Sequence, residues 1–409
     1  MAIKRAIIHL GMAKTGSSSI QSTLFNNLPL LEKNGFRYLH EWELNHFFTF
    51  KCLFSPHPVS PTGTGDLGRS PVKMKQRNKK AIDIMMQVIE KSECETLILS
   101  GEYSSELWLD STIENIKNFI HKYFLSKNIE VTIICFVRNP LTWLVSWMQQ
   151  RLKKDGFVNK SSDFFENEIK QYEGIINLFK HFSAILVLLK FEDACLDKDG
   201  LIGCFFKTIG FPEMELPFLT LYKINESRCM EAMEFIYYVE SIEPRHPYHN
   251  YRRGNPNRGH NDLAPLEHIK GAKFDLPYQS KVEFWERFQE TVKTLSENTG
   301  VDYSQYIIPT PRIQETYSED TIQGLIEIFP KLNFSLQTLF LKFFEKKYME
   351  TAQIKFKKLH FKDSLPYTIY HSKNASLQFL KLRMKIKLAR IKRSIGSQLP
   401  TKIKVWRSK

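Results

Sequence analysis

Long hydrophobic runs are missing from this chain of 409 residues. No stretch approaches the ~18 apolar residues that a membrane-spanning helix needs. The first apolar run, Ala6-Ile7-Ile8-His9-Leu10, is only five residues long and leads straight into a glycine turn. That pattern argues against a secretory leader, so a cytoplasmic protein is expected. Cysteine is scarce as well. Cys52, Cys94, Cys135, Cys195, Cys204 and Cys229 include no C-x-x-C pair and no metal-ligand spacing. A disulfide scaffold and a zinc module are therefore excluded, reduced and buried thiols are expected, and no metal is called for. There is no internal repeat. Acidic residues are absent from one region: Lys373 to Lys409 holds twelve Lys or Arg and no Asp or Glu. The chain carries +14 overall, so the remainder carries 14 − 12 = +2.

What is present is strand-helix alternation. Apolar runs with β-branched residues fall at 6–10, 96–100, 131–137 and 185–191, with helical patterns between them. Such runs suit buried strands of a parallel sheet, giving an α/β fold with helices on both faces. Ser55 to Arg77 is rich in Pro, Gly, Ser and basic residues and reads as a loop. Helical patterns resume at 318–329 and 334–348. The expected organisation is a nucleotide-binding catalytic domain over 1–312, followed by a helical C-terminal region over 313–409.

The turn after the first strand reads Gly11-Met12-Ala13-Lys14-Thr15-Gly16-Ser17-Ser18-Ser19, and a helix follows from Ile20. Strand, glycine turn and helix make a phosphate cradle in α/β proteins, because the helix N-terminus offers unpaired N–H groups and a positive dipole end. Lys14 adds a charge, and the serines add hydroxyl donors. An ATPase loop would place its lysine after the second glycine, G-x-x-x-x-G-K-[ST]. Here the lysine precedes Gly16, which points away from ATP.

A second segment, Val131 to Val137, ends at Arg138-Asn139-Pro140 before a helix over 141–154. Asn139 suits the cap of that helix and Pro140 its first turn. Arg138 then stands at a strand's carboxyl end, where open α/β sheets bind ligands. Ser146 lies eight residues on, about two turns up the helix. The pair reads as a second anionic site, separate from the first.

Lys14-Thr15-Gly16-Ser17-Ser18 together with Arg138-Asn139-Pro140 through Ser146 resembles the sulfotransferases that use 3′-phosphoadenosine 5′-phosphosulfate (PAPS). In that family a K-[TS]-G-[TS]-[TS] loop binds the 5′-phosphosulfate and an R-[ND]-P-x₅-S segment binds the 3′-phosphate. Ile20, Gln21 and Gln149 look like the bacterial, carbohydrate-directed branch. The resemblance covers residues 1 to about 310. It implies a three-layer P-loop-like fold with a central parallel sheet, PAPS as co-substrate, and a hydroxyl of a carbohydrate or lipid-linked glycan as acceptor. It assigns cofactor contacts to Lys14, Thr15, Gly16, Ser17, Ser18, Ser19, Arg138 and Ser146. Arg253-Gly254 loosely matches the basic glycine loop that covers the 3′-phosphate, which adds Arg253. Family members with an N-terminal membrane anchor differ from this chain, which has no room for one before the turn.

Sulfuryl transfer is an in-line displacement with charge growing on the leaving phosphate oxygen, and Lys14 would stabilise that charge. The acceptor hydroxyl needs a general base within hydrogen-bond reach. The resemblance points to a His or Glu after the first helix. Glu43-Leu44-Asn45-His46-Phe47-Phe48 offers Glu43 and His46, and His46 is favoured because an ordinary imidazole titrates near working pH. Glu102 follows the strand at 96–100 and should face the same crevice, as a substrate contact or as the base.

From Leu377 to Ile395 apolar and basic residues alternate at helical spacing. A basic amphipathic segment of this kind lies on an anionic membrane surface, grips a polyanion, or docks on its own domain. No nucleic-acid module accompanies it. Two other classes compete with the sulfotransferase reading. One is a P-loop kinase acting on a small molecule or glycan; the other is a non-catalytic polyanion- or membrane-binding protein.

Overall fold

The computed structural model describes residues 3–56, 71–104, 106–155, 162–222, 227–243, 262–310 and 318–353. The strands are β1 (Arg5–Leu10), β2 (Phe36–Tyr38), β3 (Thr96–Gly101), β4 (Glu130–Val137) and β5 (Leu186–Lys190). The helices of the first half are α1 (Ser17–Asn26), α2 (Leu28–Lys33), α3 (Phe47–Phe54), α4 (Pro71–Lys91), α5 (Asp110–Tyr123) and α6 (Pro140–Asp155). Those of the second half are α7 (Ser162–Phe182), α8 (Phe191–Leu196), α9 (Gly200–Thr208), α10 (Met230–Ile242), α11 (Tyr278–Thr299), α12 (Glu319–Ile328) and α13 (Phe334–Gln353).

The strands form one parallel sheet in the order β2-β3-β1-β4-β5. Alternate side chains go to opposite faces, and both faces are covered. Ile7, Ile98, Ile134 and Phe136 share a cluster with Ile20 and Leu24 of α1 and Phe205 and Phe206 of α9. Ile8, Leu99, Ile133 and Cys135, one residue out of step, are equally buried. Double coverage explains why these strands read as continuous apolar runs rather than as alternating ones. The fold is thus α/β with a central parallel sheet between helices.

β1 lies between β3 and β4, so successive connections leave it in opposite directions. Ligands bind outside the carboxyl ends of the strands at such a reversal. The carboxyl ends of β3, β1, β4 and β5 carry Glu102, the Gly11–Gly16 turn, Arg138 and Glu192 respectively.

β2 and the start of α4 depart from the sequence reading. β2 is a three-residue edge strand, too short to show a period. Helix α4 begins at Pro71, inside the stretch read as loop to Arg77. Met74, Ala81, Met85 and Ile89 are buried along it, a helical stripe that outweighs the local basic residues.

The chain forms two compact units, one of Met1–Leu144, Asn159–Asn225 and Val282–Ile307, the other of Val145–Val158, Glu226–Lys281 and Ile308–Lys409. The sequence placed its boundary at 312/313. In the second unit Phe235 of α10 meets Phe340 of α13 edge-on, 4.9 Å between centroids. Lys281, 2% exposed, donates to Asp275 Oδ2 at 2.6 Å and so is buried with a counter-charge. The described part of the C-terminal region is helical, as α12 and α13. No helix among the described residues is long and apolar enough to cross a membrane. The basic tail, 373–409, lies outside the described residues.

Candidate active site

The turn between β1 and α1 is built so that its carbonyls are held on one side. Thr15 Oγ1 donates to Met12 O (2.6 Å), Trp143 Nε1 to Ala13 O (2.8 Å), and Arg138 Nη1 to Lys14 O (2.6 Å). With three successive carbonyls pinned by donors, the peptide planes leave their N–H groups for other partners. One of these, Lys14 N, meets a carboxylate, Glu102 Oε1, at 3.3 Å. An anion therefore already sits at the turn.

Two residues of the turn take the left-handed conformation, Lys14 (φ 67°) and Gly16 (φ 77°). For lysine that conformation costs about 1 kcal/mol, a strain typical of ligand-binding turns. A Cβ on Gly16 would lie 2.2 Å from Leu201 Cδ2, so a side chain there would displace the Leu201 methyl as well as strain the backbone. Gly16 is also the residue at the start of α1, and no side chain caps that end. No side chain takes the first N–H groups of α1, and Ser19 N turns back to Gly16 O (2.9 Å), so the end offers Ser17 N and Ser18 N to a ligand. Ser17 is buried, and its Oγ has no partner among the described residues. A Cβ on Gly11 would stand 2.2 Å from that oxygen. Thr15 is buried, while Lys14, Ser18 and Ser19 are partly exposed.

Arg138, read from the sequence as part of a second anionic site, is hydrogen-bonded to the first motif. Its bond to Lys14 O joins the two motifs, and its Nε donates to Thr142 Oγ1 at 3.1 Å. The guanidinium lies over the Phe191 ring, 4.7 Å from the centroid. Burial pulls its pKa below the usual arginine value, and the Glu192 carboxylate opposes that shift. Asn139 caps α6, its Oδ1 accepting from Leu141 N (2.9 Å) and Thr142 N (3.2 Å). The Asn139 side chain is buried, and its Nδ2 has no partner among the described residues. Ser146 lies further along α6, partly exposed, and groups with the second unit.

Glu192, which the sequence reading passed over, organises the Arg138 turn. It accepts from Asn139 N (3.2 Å), Thr142 Oγ1 (2.7 Å) and Tyr303 Oη (3.1 Å). Burial, and then this carboxylate, push the Tyr303 hydroxyl well above its ordinary pKa. The signal that finds Glu192 is the one that found Arg138: it stands just beyond the carboxyl end of a buried strand.

The three candidate bases have different environments. His46 is fully buried, stacked on Tyr38 (5.0 Å, 14°), and its Nδ1 accepts from Ser100 N at 3.0 Å. Burial lowers its pKa to about 3. Packing against Tyr38 and Trp42 seals this imidazole from an external hydroxyl, which weighs against the sequence preference for His46. Glu43 is half-buried and committed elsewhere, its Oε1 accepting from Thr49 N (2.8 Å) and its Oε2 paired with Arg77 (2.9 Å). Glu102 alone is at the turn. Arg253 falls outside the described residues.

No protein-family profile matches the chain, and no curated protein does. Among solved structures it is similar to the sulfotransferase from Alicyclobacillus acidocaldarius, with 15% identity over 73% of this chain and 97% of that one and a TM-score of 0.37. It is also similar to a retinol dehydratase solved with androsterone and the inactive cofactor PAP, with 13% identity over 75% of this chain and 84% of that one and a TM-score of 0.31.

Proposed function

We infer that the chain transfers the sulfuryl group of PAPS to a hydroxyl group, and that the acceptor is a carbohydrate or a lipid-linked glycan. The observation that carries this reading is the Lys14 turn, uncapped at α1 and tied through Lys14 O to Arg138. The residues present fit a co-substrate with several anionic groups. Ser17 Oγ and Asn139 Nδ2 are buried polar atoms without partners among the described residues, one in each motif. Such orphans cost about 1–3 kcal/mol each unless a ligand pairs them. The α1 N-terminus, Lys14 and Ser17 would hold the phosphosulfate end. Arg138 would serve the 3′-phosphate and also fix the turn. The co-substrate, when bound, supplies an activated sulfuryl group.

Within this reading Lys14 stabilises the negative charge that grows on the leaving oxygen. Glu102 is the base: it stands at the carboxyl end of β3, within hydrogen-bond distance of the turn, and takes the proton of the acceptor hydroxyl as the O–S bond forms. The choice of acceptor follows from the motif resemblance.

Glu102→Gln keeps the shape of the side chain and removes its basicity. Turnover is expected to fall by ~10²-fold or more, with affinity for 3′,5′-adenosine bisphosphate within about threefold of wild type. Radiolabelled sulfuryl transfer and calorimetry measure the two quantities. A variant that turns over like wild type would remove Glu102 from the reaction.

The basic segment 373–409 is proposed to bring a cytoplasmic enzyme to a membrane-bound acceptor through anionic lipid. Truncation at residue 372 should abolish co-sedimentation with vesicles containing phosphatidylserine; retained co-sedimentation would rule out that role.

A further inference from the structure

A partly buried polar network connects helix α1 to the residue proposed above as the base, and its hub is Asn45. The side-chain oxygen of Asn45 accepts from Gln21 Nε2 (3.2 Å), Phe47 N (3.0 Å) and Glu102 N (3.3 Å). Gln21, on α1, is buried and also reaches Ser100 Oγ (3.3 Å) and Ser100 O (3.4 Å) on β3. Three donors on one amide oxygen fix the orientation of the side chain. They also fix three separate pieces of backbone against each other: the helix that bears the cradle, the start of α3, and the end of β3.

We propose that Asn45 is a positioning residue for Glu102. This rests on Glu102 being the base. Glu102 N is held by Asn45 Oδ1, and Glu102 Oε1 meets Lys14 N, so both ends of the residue are referred to the cradle. The carboxylate leaves a backbone that cannot drift relative to the turn. Geometry of this kind acts on the chemical step rather than on nucleotide binding, because a displacement of about 1 Å between reacting groups costs up to ~10²-fold in rate. Gln21 extends the tie into α1, which makes the cradle and the base one rigid piece.

Three variants test the inference against wild type, with turnover, bisphosphate affinity and thermal stability measured on each. Asn45→Ala removes the acceptor and should lower kcat ~30-fold, leaving bisphosphate affinity within about threefold. Asn45→Asp keeps an oxygen for the three N–H donors and should recover most of the rate. Its added charge beside Glu102 should also move the acid limb of the kcat profile to higher pH, a shift that a merely structural role would not produce. If Asn45→Ala does not fold, Gln21→Met serves instead: it removes one donor at similar volume and should lower kcat by about fivefold. A kcat within twofold of wild type in Asn45→Ala or Gln21→Met, or an Asn45→Asp limb that stays in place, would overturn the inference alone. A wild-type chain that binds the bisphosphate but transfers no sulfuryl group would overturn the functional reading and this inference with it.

Discussion

Lys14→Ala is expected to lower sulfuryl transfer by ~10²–10³-fold while leaving the fold intact. Two contacts that shape the turn at this residue run through its backbone: Arg138 donates to Lys14 O, and Lys14 N donates to Glu102. Both survive truncation of the side chain, as does the left-handed φ of 67°. Loss of the ammonium removes a positive charge from the place where negative charge develops, and a preorganised donor at such a place lowers the barrier by about 3–4 kcal/mol. Lys14→Arg keeps the charge but spreads it over a larger planar fork, so partial activity is expected. A Lys14→Ala enzyme turning over within threefold of wild type would exclude this residue from the chemistry. A collapse in thermal stability would show that the side chain holds the turn together.

Stability should fall steeply as pH drops below 6.5, ahead of any carboxylate titration. His9 and His46 are both fully buried, and burial lowers their pKa values to about 4 and about 3. An unfolded imidazole titrates near 6.5, so between about pH 6.5 and 4 the unfolded chain binds two protons that the folded chain does not. The folded state is then favoured at high pH and loses ground as pH falls. Each histidine contributes roughly 1.4 kcal/mol per pH unit across that window, or about 4 kcal/mol for the pair between pH 7 and pH 5. That is a large part of an ordinary domain's stability of about 5–15 kcal/mol. Urea midpoints from pH 7.5 to 5 measure it. His46→Gln offers an amide oxygen to Ser100 N without titrating, and should remove about half of the slope. A midpoint that does not change between pH 7 and pH 5 would mean that neither imidazole is sealed from solvent.

The same two histidines mark where a sequence stops being informative. A histidine after the first helix has the right pKa for a base by its ordinary value, and nothing local says that Tyr38 and Trp42 will close over it. Long-range packing buries His46, while Glu102 Oε1 lies 3.3 Å from Lys14 N at the turn. The four longer strands were legible because both of their faces are buried, which leaves a continuous apolar run; β2 was not, because three residues at a sheet edge carry no pattern. The loop reading up to Arg77 followed composition, whereas the buried stripe from Met74 to Ile89 was visible at helical spacing. The two motifs were legible as turns at strand ends, and the structure places both at the carboxyl edge of the sheet. Their union through Arg138 and Lys14 O depends on strand order, which places β4 beside β1, and no local pattern encodes that order. Glu192 and Asn45 do their work through main-chain partners distant in sequence, so a motif search passes over both.

The most direct measurement is thermal unfolding in the presence of 3′,5′-adenosine bisphosphate, ATP or AMP. A ligand at about 100 times its Kd stabilises a protein by roughly 2.7 kcal/mol, a shift of several degrees. Stabilisation by the bisphosphate alone, abolished in Arg138→Ala, is the expected result. Stabilisation by ATP in place of the bisphosphate would contradict the account and favour phosphoryl transfer, and no response to any of the three would mean that the glycine turn binds no nucleotide.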